Sequence, residues 1–206
     1  MIIQQVPLSR LLSFGCAGTL DTLYFFESPD ELSAYLKQNR PFRVLGKGSN
    51  TIFDPSQEQG DIIKLAPHFL APTIEGRRLS VSAGTSIAQL LSICAKAELG
   101  GLTFAAGVPA SVGGMACMNF GCWGQEVAEC IEHVDVMDSH GHSHRLRPTD
   151  LNWAYRSSAL LTIKMVVTSV CFNLVPTPKA EIRKQMQTNV KQRLAKQPLT
   201  GKTFGS

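Results

Sequence analysis

The sequence predicts an α+β chain made of a small lobe over residues 1–70, a second lobe over 71–175, and a basic linker segment over 176–206. Three observations carry this. Two N-capped helices with apolar stripes fall between short strand-like runs, a dense β-branched run over 159–175 ends at prolines, and a four-residue apolar spacing follows it. A chain of 206 residues, 44% apolar and 17% charged, can bury a sizeable core.

Ser28-Pro29-Asp30-Glu31 reads as a capping box, with Pro29 at the first helical position and Glu31 able to reach back to the cap. It opens a helix to about Asn39 with Leu32, Tyr35 and Leu36 on its inner face. Residues 42–45 then read as a short buried strand running into Gly46-Lys47-Gly48-Ser49-Asn50, and residues 62–65 and 79–83 as further strands. Thr85 or Ser86 caps a second helix whose inner stripe is Ile87, Leu90, Leu91 and Cys94. Val134 and Val136 alternate with Asp135 and lead through a turn at Gly141 into a partner strand over 143–146. Residues 159–175 read as a long central strand, broken by Pro176 and Pro178. From Lys179, the positions Ile182, Met186, Val190 and Leu194 mark an amphipathic helix with a basic outer face.

Charge and composition exclude several classes. Net charge is +4, but residues 176–206 hold seven Lys/Arg against Glu181 alone, so the preceding body is slightly acidic and no nucleic-acid partner is expected. Residues 99–125 carry no charge, yet seven glycines and Pro109 interrupt them, so they read as a buried backbone-rich loop region rather than a membrane span. The six cysteines include no CxxC pair, and residues 1–15 lack a signal-peptide pattern, which points to a reducing cytoplasm. His140, His142 and His144 surround a hairpin glycine without a carboxylate or cysteine at ligand spacing; they read as a solvated turn, and no metal is expected. Cys117 and Cys122 read as packing residues.

Four constellations could carry chemistry. The loop 46–50 follows a strand, and its glycines would let successive backbone N–H groups cradle a phosphate, with Ser49 and Asn50 adding donors; a tight turn needing positive φ explains the same residues. It is neither a Walker loop nor a dinucleotide fingerprint. The run from Ala106 through Gly107, Val108, Pro109, Ser111, Gly113 and Gly114, continuing to Asn119, Gly121 and Trp123, implies backbone packed against something flat, either a flavin or a tight domain core. In Tyr155-Arg156-Ser157-Ser158, Arg156 offers a planar fork suited to a carboxylate or phosphate, or is an ordinary surface residue. The segment from Lys196 to Ser206 is, on composition, a frayed tail.

Taken in order, these motifs resemble the bacterial UDP-N-acetylenolpyruvoylglucosamine reductases (the MurB family), from about residue 10 to the last residue. Leu45 to Asn50 is similar to the family's LGxGSN loop, and residues 101–124 to its glycine-rich segment ending in an Asn-x-Gly turn. Tyr155-Arg156-Ser157-Ser158 is similar to its Tyr-Arg-Asp/Ser-Ser motif, and Lys196-x-Pro198 with Gly205-Ser206 to the opening of its GSxFKNP motif. The resemblance implies a two-lobed FAD-binding domain of the PCMH/vanillyl-alcohol-oxidase type followed by a linker helix. FAD would lie between the lobes, with its diphosphate on Gly46, Lys47, Gly48, Ser49 and Asn50. Its ring would face Gly107, Val108, Pro109, Ser111, Gly113, Gly114, Asn119, Gly121 and Trp123.

The implied activity is NADPH-dependent reduction of UDP-N-acetylenolpyruvoylglucosamine to UDP-N-acetylmuramate in peptidoglycan synthesis. Arg156 would stabilise charge on the substrate carboxylate, Ser206 would donate a proton, and Tyr155 and Lys196 would bind the UDP-sugar. A monomer is expected. Lys47, Ala110 and Trp123 depart from the commoner family residues, and the chain stops at Ser206, before the rest of GSxFKNP and the third domain with its glutamate. The alternative reading is therefore a truncated, catalytically inactive FAD-binding remnant or interaction protein. A third option is another oxidoreductase of the same flavoprotein fold.

Overall fold

The computed structural model describes residues 1–54 and 60–196. The chain begins with β1 (Ile2–Pro7), a short α1 (Leu8–Leu11), and β2 (Thr19–Phe26), which pairs antiparallel with β1. The helix α2 (Pro29–Leu36) follows, then β3 (Phe42–Val44) and β4 (Asp61–Leu65), giving a sheet ordered β1-β2-β4-β3 in which β4 is parallel to both its neighbours. The Ser28 hydroxyl accepts from the Glu31 N–H at 3.3 Å, as the capping box requires. The Glu31 carboxylate instead reaches the N–H of Glu27, one residue before the cap, at 2.9 Å. Leu32, Tyr35 and Leu36 are buried, and beyond Leu36 the helix unwinds into a turn that ends at Asn39 with φ +52°. The expectation of a buried β3 is corrected: it is an edge strand with Arg43 and Val44 exposed, and only the following Leu45 is buried.

A second, wholly antiparallel sheet starts with β5 (Thr73–Glu75) and β6 (Arg78–Ser82). It is interrupted by α3 (Ile87–Ala97), β7 (Leu99–Gly100), α4 (Val112–Cys117) and the small hairpin β8 (Gly121–Cys122) and β9 (Gln125–Glu126). It resumes with β10 (Ile131–Met137), β11 (Ser143–Leu146) and β12 (Val166–Asn173), in the order β11-β10-β12-β6-β5. Ser86, not Thr85, caps α3 through a reciprocal box with Gln89. The central strand β12 is buried from Val166 to Phe172, but the expected strand over 159–165 is absent. Ala159–Leu161 forms a 3-10 turn instead, because Ala159 N–H is drawn to the Leu151 carbonyl at 2.7 Å and the chain bends away before the ladder begins.

The charge-free stretch is not all loop. The short helix α4 forms within it because Ser111 caps it and Val112, Met115 and Ala116 are buried, so tertiary packing overrides two glycines. β13 (Val175–Pro176) pairs with β7 at an edge, where a proline is tolerated, and α5 (Lys179–Lys196) follows. Ile182 is buried, while Leu194 at the far end of the stripe is 46% exposed. Two apolar cores result. A small one gathers Val6, Leu8, Leu20, Leu23 and Ile62, and a larger one joins α2 to the second sheet and α3. No helix among the described residues is long and apolar enough to cross a membrane.

Candidate active site

A cleft of about 1690 Å³ runs between the loop 46–50, the segment 107–114, the turn over residues 160–167 and the C-terminal half of α5. The loop is launched by Leu45, whose N–H donates to the Ile63 carbonyl at 2.8 Å and so extends the parallel pairing of β3 with β4. At Gly48 the backbone takes φ +68°, and its carbonyl accepts from Ser13 N–H at 3.0 Å. A Cβ at Gly48 would run into the Leu11 carbonyl, so glycine is required there twice over. No backbone carbonyl of the described residues accepts from the backbone N–H groups of Lys47, Gly48, Ser49 and Asn50.

The facing wall is built on α4. The Ser111 hydroxyl accepts from Gly114 N–H at 3.3 Å, and the same oxygen lies 2.6 Å from where a Cβ of Gly46 would stand. The two glycine-rich segments therefore touch at Gly46 and Ser111. Gly113 N–H donates to the Ala83 carbonyl at 2.9 Å, and a Cβ there would lie 3.0 Å from the Ala83 methyl. Gly107, at φ +82°, is packed beneath Val190 and Arg193 of α5. Gly46, Lys47, Gly48, Ser49, Asn50, Gly107, Val108, Pro109, Ser111, Gly113, Gly114, Arg156 and Lys196 all border the cleft.

Arg156 is the most constrained of these. It adopts φ +54° within a tight turn closed by reciprocal bonds between Ala154 and Ser157, both at 3.1 Å. A non-glycine residue in that region is strained by about 1 kcal/mol and persists only where the surroundings hold it. Its guanidinium lies over Phe120 at 5.6 Å and Tyr155 at 5.1 Å, and Nη2 donates to the Gly121 carbonyl at 2.8 Å. Nη1 is buried and has no hydrogen-bond acceptor among the described residues. A buried cationic donor left unsatisfied is costly.

Four expected site residues do not border the cleft. Asn119 is fully buried, but its amide donates to the Glu126 carboxylate at 2.8 Å and the Ala154 carbonyl at 3.1 Å, and its oxygen accepts from Ala128 N–H at 3.3 Å. Its polar capacity is thus spent inside the fold, and it ties the β8–β9 hairpin to the Arg156 turn rather than facing a cofactor. Gly121 supplies the carbonyl that Arg156 holds; a Cβ there would sit 2.8 Å from the Gln125 carbonyl oxygen. Trp123 is 42% exposed and lies under the Arg193 guanidinium at 5.0 Å. Tyr155 is 80% exposed, outside the cleft. Ser206 lies outside the described residues.

Several lining residues escaped the sequence reading. Arg40, Arg43, Lys64, Lys164 and Arg193 join Lys47, Arg156 and Lys196, and no Asp or Glu is among the described lining residues. A cleft of one sign focuses its field and draws in anions. Lys64 donates to the Gly46 carbonyl; burial lowers its pKa, and the like charge of Lys47 adds to the effect. Arg193 holds the Ala106 and Phe104 carbonyls at 3.2 and 3.4 Å, one helical turn beyond Asn189, which holds the Thr103 carbonyl at 2.8 Å. That polar face of α5 fixes the approach to Gly107. Its i, i+4 spacing is visible in the sequence, where a basic residue on an amphipathic helix reads first as part of the outer face.

The other groups of note lie apart. Asp138 accepts from His144 at 2.6 Å and from the backbone N–H of His140 and His142 in the exposed hairpin turn. Burial pushes the Cys117 thiol up to about 11, which suits a packing group.

A protein-family model described as a FAD binding domain matches residues 21–147. The UDP-N-acetylenolpyruvoylglucosamine reductase of Moorella thermoacetica is 34% identical over all of this chain and 68% of its own length. That of Caldanaerobacter subterraneus is 32% identical over 97% of this chain and 67% of its own. The crystal structure of the Thermus caldophilus reductase superposes with a TM-score of 0.84 at 33% identity, over all of this chain and 74% of that one. The chain therefore spans about two thirds of the length of these curated relatives. The cleft fits an elongated dianionic cofactor: its glycines admit a flat or diphosphate group, and its lining is cationic.

Proposed function

Because the chain belongs to the UDP-N-acetylenolpyruvoylglucosamine reductase family and carries its FAD binding domain, we propose that it serves the NADPH-dependent reduction of UDP-N-acetylenolpyruvoylglucosamine to UDP-N-acetylmuramate. FAD, once bound, supplies the acceptor and donor for a hydride passed between the nicotinamide and the enolpyruvyl group. The backbone of 46–50, with Ser49 and Asn50, holds its diphosphate, and Gly107, Val108, Pro109, Ser111, Gly113 and Gly114 wall its ring.

The chain's own residues do the remaining work. Arg156 presents Nη1 to the substrate carboxylate, where charge builds as the double bond is reduced. A preorganised donor of this kind lowers the barrier by about 3 kcal/mol. Phe120 and the Gly121 carbonyl fix the guanidinium plane, so no reorganisation is needed when the charge appears. Lys196 and Tyr155 bind the UDP-sugar, and Ser206 donates the proton. The reading includes a monomer in the cytoplasm, the compartment being supported by six cysteines that are all unpaired.

The observation that carries the proposal is the buried Nη1 of Arg156, which has no acceptor among the described residues, at the edge of a glycine-walled cleft whose described lining holds no acid. The test is nicotinamide oxidation by the FAD-loaded chain with and without the UDP-sugar. Oxidation that depends on the sugar and is lost in Arg156→Met supports the reading. Flavin retained without any NADPH oxidation would favour the alternative of a catalytically inactive FAD-binding protein.

A further inference from the structure

Lys64 is an anomaly within β4. Its neighbours Ile63 and Leu65 are buried in the larger core, and Ile62, two residues away on the same face, is buried in the smaller one. An aliphatic residue would continue that pattern; the chain places an ammonium there instead. Among the described residues no carboxylate pairs with it, and the charged neighbour that acts on it is Lys47, of the same sign. Lys64 is half-buried at the cleft wall; a partly desolvated cation without a counter-charge adds nothing to the fold, and one that lines a cleft is placed to serve a ligand.

What Lys64 touches indicates that use. Its Nζ donates to the Gly46 carbonyl, while the Gly46 α-carbon is wedged against the Ser111 hydroxyl. The Gly46–Lys47 peptide is thus held from two sides. Because a trans peptide points its C=O and N–H in opposite directions, fixing the Gly46 carbonyl also fixes the Lys47 N–H, the first of the loop donors that no backbone carbonyl of the described residues accepts from.

We propose that Lys64 is a positioning residue for the anion-binding loop, holding the Gly46–Lys47 peptide in its donor orientation and lending its charge to the diphosphate of a bound dinucleotide. This rests on the reading of the cleft as a FAD site. The role is distinct from that of Arg156: Lys64 acts on cofactor affinity and leaves the substrate carboxylate alone. It also predicts opposite signs for binding and stability, which a structural lysine would not show.

The experiment titrates FAD, followed by flavin fluorescence, and ADP, followed by competition with FAD, into the wild-type chain, Lys64→Met and Lys64→Arg. Thermal unfolding of each ligand-free protein is measured alongside. Lys64→Met is expected to weaken FAD and ADP alike, by roughly tenfold or more, while the ligand-free melting temperature stays level or rises. Lys64→Arg is expected to recover most of the affinity. Unchanged affinity in Lys64→Met overturns the proposal, as does an affinity loss that tracks a fall in the ligand-free melting temperature. Loss for FAD with none for ADP also overturns it, because the charge would then act on the ring. Failure of the wild-type chain to bind FAD would overturn the underlying reading together with this one, so the two failures are distinguishable.

Discussion

Replacing Gly48 by alanine separates the cost of backbone conformation from the cost of close approach. Gly48 and Gly76 have similar left-handed backbones, at φ +68° and +60°. An alanine in that region costs about 1 kcal/mol relative to glycine. At Gly76 nothing lies within 4 Å of the added methyl, so that cost stands alone. At Gly48 the methyl would meet the Leu11 carbonyl, with its carbon 3.0 Å and the Leu12 α-carbon 3.1 Å away. These are backbone atoms beside the buried Leu12, and moving them loosens the Ser13 N–H bond to Gly48, so a further cost of about 2 kcal/mol is expected. Urea denaturation should therefore show Gly48→Ala destabilised by about 3 kcal/mol and Gly76→Ala by about 1 kcal/mol. Flavin titration should show weakened FAD binding in Gly48→Ala and unchanged FAD binding in Gly76→Ala. Equal destabilisation of the two variants, or wild-type FAD affinity in Gly48→Ala, would refute the reasoning.

Three other outcomes are expected. Arg156→Met should leave FAD affinity within about twofold and lower reductase turnover by about a hundredfold or more, with Arg156→Lys a poor rescue because the planar fork is lost; an affinity loss matching that of Gly48→Ala counts against the assignment. Asn119→Ala should cost about 3 kcal/mol in denaturation, since it strands the Glu126 carboxylate, the Ala154 carbonyl and the Ala128 N–H at once; weaker FAD binding at unchanged stability would restore Asn119 as a direct contact. The hydrogen bond from His144, then that from the His142 backbone, holds the Asp138 carboxyl below the usual carboxylate range. Its contribution is therefore complete above about pH 4 and is lost as pH falls from there toward the lower folded value. Protection factors of the His140 and His142 amides, each exchange rate taken relative to its intrinsic rate at the same pH, should fall on acidification in the wild type and stay level in Asp138→Asn.

Much of the architecture was legible because local signals agreed with tertiary context. Ser28 and Ser86 stand before apolar stripes and do cap the helices they announce, and the alternation around Asp135 locates the hairpin closed at Gly141. The misses have physical causes. β1 is an edge strand with five of its six residues exposed, so it carries no alternation to detect. α4 contains two glycines and spans under two turns, and its Ser111 cap and the burial of Val112, Met115 and Ala116 hold it. The β-branched run after Ser158 begins as a 3-10 turn because a long-range bond to Leu151 outweighs strand propensity.

At the site, the glycine motifs were visible as a class, but the direction of a side chain was not. Asn119 lies within a motif of the cleft-facing segment, yet its amide turns inward to Glu126. Lys64, in contrast, is hidden in a strand as a single charge, and its importance emerges only when Gly46 is seen to sit beside it.

The central claim is that this cleft holds FAD, and equilibrium titration of FAD into the purified chain tests it most directly. The account predicts saturable, equimolar binding, with flavin absorbance retained after removal of free cofactor and displacement by ADP. A chain that folds yet retains no flavin, even after refolding in its presence, would contradict it.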